Sequence, residues 1–221
     1  MSWFTQDAFD FFSELEKSNT KEWFEANKKR YEASVKKPML TFIEEMIGRM
    51  LELDPDVVTD PKKCMMRQHR DTRFSKDKSP YKICASMIIS NGGKGDHATP
   101  GLYFSLLSDR VYVASGTYEL ETEQLRKVRQ HIVDNEAEFV RLVNDPSFVS
   151  KFGEIIGEKN KMLPPEFREV GARVPLLFNK QFFYSAELKP AQVVSDQTLP
   201  DTVMDLMRAA TPLNRFFARA L

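Results

Sequence analysis

The chain has 221 residues, of which 42% are hydrophobic and 29% charged, and its 32 basic and 32 acidic side chains leave a formal net charge of zero. This composition excludes an intrinsically disordered chain, which has too few hydrophobic residues to form a core. The neutral charge disfavours a protein that binds polyanions over its whole surface. Because the length suits one domain with a sizeable core, we predict a single domain over residues 1–221.

The sequence shows no signal for export or for insertion into a membrane. Its first seven residues, Met1 to Asp7, have neither the basic segment nor the apolar segment of a signal peptide. No apolar run approaches the length needed to span a bilayer. We therefore expect a cytoplasmic protein with no membrane partner.

Apolar residues recur at helical spacing at both ends of the chain. We predict a helix behind a Thr5 cap, a second helix that begins at Asn19–Thr20 and a third with Pro38 in its first turn. Further helices are predicted over residues 125–143, 148–156 and 200–221, with an irregular connection over 158–180.

The middle of the chain has the alternation and the turn residues of β-structure. We predict a strand over residues 83–90, a hairpin of strands 101–107 and 111–115, and another strand over 182–188. Along the chain, helices are followed by a β-meander and then by further helices, an order that is typical of an α+β architecture. The expected fold has N-terminal helices, a central antiparallel sheet and C-terminal helices.

The densest charge in the chain lies in residues 67–82. This segment has six basic and two acidic side chains, so its net charge is +4 and that of the remainder is −4. The planar guanidinium groups of Arg70 and Arg73 suit a carboxylate or a phosphate. The candidate binding residues are Arg70, Arg73, Lys78, Tyr81 and Lys82, with Asn27 and Arg129 as second-tier additions from the helices.

Three functions fit this segment, and the residues leave the choice open. In the first, the chain binds or processes a small anionic molecule, with Asp71 and Asp77 as candidate catalytic acids or bases. In the second, the chain is a structural or interaction protein, and ion pairs stabilise the segment as a loop. In the third, it is a weak nucleic-acid-binding module, which the neutral charge disfavours without excluding. We predict no metal site, because the three histidines are scattered, and no cofactor.

Two motifs carry a resemblance to a known family. The first runs Asn19-x-x-Glu22-Trp23-Phe24-x-x-Asn27-Lys28-x-x-Tyr31, and the second runs Arg70-Asp71-x-Arg73-Phe74-x-x-Asp77-Lys78-x-Pro80-Tyr81-Lys82. Together with Gly116-Thr117-Tyr118, Leu125 and Arg129, they resemble the conserved hypothetical proteins of domain of unknown function 2461. The resemblance covers essentially the whole chain. It implies a fold unit and the positions of its motifs, and it implies no particular reaction.

The two cysteines, Cys64 and Cys84, lie far apart in apolar stretches with no nearby metal ligands. Such thiols remain reduced in the cytosol, so we expect both to be unbridged. Thiol titration of the denatured protein without reductant should find both of them reactive. Stoichiometric zinc, or a protein without reactive thiols, would contradict this expectation.

Overall fold

The computed structural model describes residues 3–194 and 196–221 of the chain. Its N-terminal part is helical, as the apolar spacing predicts, with α1 (Gln6–Lys17), α2 (Lys21–Tyr31), α3 (Lys37–Met50) and the short α4 (Pro61–Cys64). A π-helical segment, Glu32–Lys36, joins α2 and α3 into one continuous helix, where the sequence predicts two. Pro38 accounts for the wider turn, because it has no N–H for the carbonyl of Ser34 and the local hydrogen bonding must change.

The described part of the chain contains one four-stranded antiparallel sheet. Its strands are β1 (Ala85–Ile89), β2 (Leu102–Leu106), β3 (Val111–Thr117) and β4 (Phe182–Leu188), in the order β1-β2-β3-β4. The register pairs Met87 with Phe104 and Val113 with Ala186. The predicted antiparallel sheet and the α+β class are therefore confirmed.

The C-terminal helices are α5 (Thr122–Asp134), α6 (Glu136–Val143), α7 (Pro146–Phe152), α8 (Arg168–Arg173), α9 (Pro190–Val193) and α10 (Leu199–Ala218). The predicted long helix over 125–143 is interrupted at Asn135, which leaves helical geometry and bonds back to the carbonyl of His131. The predicted helix over 148–156 ends early, since Gly153 adopts a positive φ of 75°. The connection over 158–180, predicted as irregular, includes α8 and two 3₁₀ turns.

One face of the sheet packs against the helices and forms the core. Phe104 of β2 lies against Phe42 of α3, with ring centroids 4.8 Å apart, and Phe182 of β4 lies 5.4 Å from Phe217 of α10. The opposite face carries residues such as Tyr103 and borders an open cleft of about 360 Å³. The sheet is thus covered by helices on one side only, which accounts for the alternation of buried and less buried residues along its strands.

The hydrophobicity of the helices and the state of the two cysteines bear on the expectations from the sequence. None of the described helices combines the length and the hydrophobicity that crossing a bilayer requires. Neither Cys64 nor Cys84 forms a disulfide. Cys64 is buried, and burial raises the pKa of its thiol to about 11. Cys84 is only half-buried, because it lies at the edge of the sheet beside Ser86.

The N-terminal helices hold the charged segment in place through Tyr81. The amide of Asn19 donates to the Tyr81 carbonyl (2.9 Å), and the Tyr81 N–H donates back to Asn19 Oδ1 (3.1 Å). The Tyr81 ring is buried and stacks on Phe24 of α2, with centroids 3.9 Å apart. The Tyr31 hydroxyl donates to Gln68 (3.3 Å) at the other end of the segment. Residues of the first motif thus hold residues of the second in place through hydrogen bonds and ring stacking.

We expect Asn19→Ala to lower the free energy of unfolding by about 1–3 kcal/mol, because two partly buried backbone groups of Tyr81 lose their partner. Asn27→Ala is the matched control, since the Asn27 amide donates only to the Trp23 carbonyl of its own helix. Removing that bond should cause no loss of stability, since alanine favours the helix. Denaturant titrations of both variants would test this, and equal losses would contradict the fastening role of Asn19.

Candidate functional site

Residues 67–82 form an irregular hairpin, here called the basic hairpin. The Arg70 N–H donates to the Pro80 carbonyl and the Lys82 N–H to the Gln68 carbonyl, both at 2.9 Å. His69 and Tyr81 form an antiparallel bridge between these bonds. The two ends of the segment are therefore paired at its base, and residues 71–79 project as its tip.

Arg70 and Asp77 form an ion pair across the hairpin. Arg70 Nη1 donates to the Asp77 carboxylate and to the Ser79 carbonyl (3.3 Å). Asp77 also accepts from the Ser79 N–H (2.9 Å) and hydroxyl (2.6 Å). The hydrogen bonds from Ser79 and from Arg70 hold the pKa of Asp77 well below its ordinary value. A carboxylate so stabilised is a weak base, so this geometry favours a role in orienting Arg70 over proton abstraction.

Arg73 and Lys78 have partners of their own within the hairpin. Arg73 binds Asp71 through both Nε (3.0 Å) and Nη2 (2.7 Å), and these bonds lower the pKa of Asp71. Lys78 donates to the Thr72 carbonyl (2.8 Å). Arg70, Arg73 and Lys78 thus bond to different acceptors, and in this structure they do not share one. This pairing agrees with the second hypothesis from the sequence, in which ion pairs stabilise the segment as a loop.

The other candidate residues of the two motifs have separate positions. Tyr81 is buried in the core, so its stacking face already contacts Phe24. Lys82 lines a cleft of about 480 Å³ together with Arg70 and Asp77. Asn27 bonds within its own helix, as described above. The structure therefore brings Arg70, Asp77 and Lys82 together and leaves Asn27 apart from them.

Arg129 lies in a second cleft, which is here called the Arg129 cleft. The cleft has a volume of about 370 Å³. It is lined by Leu120, Thr122, Leu125, Arg126, Arg129, Asn160, Pro164, Phe167 and Lys180. Arg129 is only 4% exposed, although it carries a charge. It projects from α5 and donates from Nε to the Leu177 carbonyl (2.9 Å) and from Nη2 to the Asn179 carbonyl (3.1 Å).

No carboxylate compensates the buried charge of Arg129. Within residues 3–194 and 196–221, no Asp or Glu oxygen lies within 4 Å of its guanidinium, and its third nitrogen, Nη1, has no hydrogen-bond partner. Burial lowers the pKa of Arg129 from its ordinary value. Guanidinium groups in proteins keep their charge near neutral pH. The cleft therefore borders a cation whose charge, among the described residues, is offset only by two backbone carbonyls.

Two exposed cations, Arg126 and Lys180, lie at the rim of the Arg129 cleft. Each is near a carboxylate, since Lys180 pairs with Glu158 at 3.1 Å and Arg126 lies 3.8 Å from Glu166. The sequence did not indicate Lys180, because it is far from Arg129 along the chain. The signal for Arg129 itself was a basic residue beside the apolar positions of a predicted helix.

The comparison with family models agrees with the motifs. The model described as conserved hypothetical protein (DUF2461) matches residues 7–216. No curated protein matches the sequence. Since the match includes all four strands, helices α2 to α9 and most of α1 and α10, the chain belongs to the DUF2461 family of conserved hypothetical proteins.

Proposed function

We propose that this chain binds a small molecule bearing a carboxylate or a phosphate, and that the Arg129 cleft is the binding site. The observation that carries the proposal is the buried guanidinium of Arg129, which has no acidic partner among the described residues. An anion in the cleft would supply the negative charge that Arg129 lacks as a partner among the described residues.

The electrostatics of the cleft support an anionic ligand. A buried charge loses most of its hydration, and two neutral carbonyls replace only part of what water provides. At an effective dielectric constant of 20, an anion 4 Å from the guanidinium would gain about 4 kcal/mol of Coulomb energy before its own desolvation is subtracted. Nε and Nη2 already donate to the two carbonyls, so Nη1 is the nitrogen left to donate to an oxygen of a carboxylate or a phosphate.

The surroundings of Arg129 favour side chains over backbone amides as ligands. The cleft lies beside the first turns of α5, where helix geometry favours negative charge. However, the Glu121 N–H at this helix end already donates to the Gln124 side chain (2.9 Å). The anion would therefore bind to the guanidinium of Arg129, with Arg126 and Lys180 contributing from the rim and Asn160 offering an amide.

This geometry supports binding without turnover. The residues that line the Arg129 cleft include no His, Cys, Asp or Glu, and its Lys180 is paired with Glu158. The same ligand class at the basic hairpin, with Asp71 or Asp77 as a base, is the weaker form of the proposal, because Arg70 and Arg73 are already paired.

The test is thermal unfolding with increasing inorganic phosphate, and separately with succinate, against sodium chloride at equal ionic strength. We expect phosphate or succinate to raise Tm, since a ligand at one hundred times its Kd stabilises by about 2.7 kcal/mol. The double variant Arg126→Gln/Lys180→Gln should fold normally, because both side chains are exposed, and should need more ligand for the same shift. Arg129→Lys should lose most of the shift, because a single ammonium nitrogen cannot bond to the two carbonyls and to the anion as the three nitrogens of a guanidinium can.

Two control variants make the result specific. Lys127→Gln removes an exposed cation from the same helix that does not line the cleft, and it should leave the shift unchanged. Arg73→Ala should also leave it unchanged if the Arg129 cleft is the site. Loss of the shift in Arg73→Ala but not in the cleft variants would move the site to the basic hairpin. No shift with either anion would reject the proposal.

A further inference from the structure

The tip of the basic hairpin exposes a large aromatic side chain. Phe74 is 95% exposed, and the Arg73 guanidinium lies 5.7 Å from the centre of its ring. An aromatic residue in this position contributes nothing to the core. Its ring offers a free face, and exposed cations, including Lys76, lie next to it in the sequence.

A groove beside the base of the hairpin collects further cations, and it is here called the basic groove. It has a volume of about 420 Å³ and a floor that includes Tyr31, Leu40 and Met65. The basic side chains that line it are Lys28, Lys36, Lys62, Arg67 and His69. They come from α2, the π-helical segment, α4 and the hairpin. Because these residues are spread along the chain, no run of basic residues in the sequence marks this groove.

The charge of the groove is only partly compensated. Glu32 is the carboxylate that lines it, and it pairs with Lys36 at 2.7 Å. Lys28 lies 3.4 Å from the exposed Glu25, and Arg67 lies 3.9 Å from Asp71. Exposed pairs of this kind are weak and exchange readily for other anions. Lys62 forms no ion pair among the described residues.

From this arrangement we propose that the basic groove and the tip of the basic hairpin together bind single-stranded nucleic acid. Phosphates would lie along the groove, and Phe74 would stack on an unpaired base. A basic track next to an exposed aromatic ring is the combination that binds single strands without sequence preference. Paired bases offer no free face to Phe74, so a duplex fits this surface less well. The proposal is independent of the Arg129 cleft.

The experiment measures fluorescence anisotropy of a labelled 20-nucleotide single-stranded DNA of mixed sequence over a range of salt concentrations. We expect affinity to fall with salt, with a log–log slope of about −0.7 for each phosphate contact. Phe74→Ala should weaken binding roughly 5- to 150-fold, the effect of losing one stacked base. Since Phe74 is exposed, Tm should not change. Lys28→Gln/Lys62→Gln should reduce the magnitude of the slope by about 1.4, because two contacts are lost.

Matched controls keep the test specific. Val149→Ala removes another exposed apolar side chain and Lys127→Gln another exposed cation, and neither should alter binding. The Arg126→Gln/Lys180→Gln variant should bind DNA normally, so failure of the anion proposal would not be confused with failure of this one. The proposal is overturned if the protein does not bind at low salt or if Phe74→Ala binds as tightly as the unmodified protein. Sedimentation with phosphatidylserine vesicles in preference to the oligonucleotide would also overturn it.

Discussion

The pair of hydrogen bonds between Asn19 and Tyr81 is the constraint on which the charged surface depends. The Asn19 amide occupies both the N–H and the C=O of one residue, as a neighbouring strand would, at a point where the sheet provides no such strand. With its backbone so held, Tyr81 places its ring on Phe24 in the core. The hairpin then extends outward from this anchor. Its cations stay hydrated, and the groove between hairpin and helix has a defined wall.

Arg129 represents the opposite arrangement, in which a cation is taken into the protein. Its carbonyl partners lie next to an irregular ribbon, where the Asn160 N–H donates to the Phe178 carbonyl and the Lys180 N–H to the Glu158 carbonyl, both at 2.7 Å. Gly157 permits this close approach, since a Cβ there would lie 2.1 Å from the Gln181 carbonyl oxygen. The arginine thus ties α5 to the ribbon. A lysine there would have one point charge and no fork to reach two carbonyls.

Much of the fold could be predicted from the sequence, because apolar spacing and turn residues are local signals. The strands and most helices follow from them, and the exceptions have local causes, such as the π turn before Pro38 and the positive φ of Gly153. The site was harder to predict. The charged segment was identified, but spacing along a loop cannot show that Arg73 binds Asp71 or that Tyr81 is buried. Clefts formed by distant residues, such as Arg129 with Lys180, leave no pattern in the sequence.

Although the net charge of the chain is zero, it has two positive regions, the basic groove and the Arg129 cleft, which differ in their exposure to water. The groove beside the hairpin is open to water, so salt screens its field within about 10 Å at ordinary ionic strength. The charge of Arg129 lies in a region of lower dielectric constant, where screening is weaker and one counter-charge has a larger effect.

A long polyanion would suit the first region, the basic groove, since many weak contacts add together along it. One compact anion would suit the second, because the cleft has room for a small ligand and Nη1 of Arg129 has no hydrogen-bond partner among the described residues. On these two proposals, the distribution of charge between surface and interior, rather than its total, would decide which anions this fold recognises.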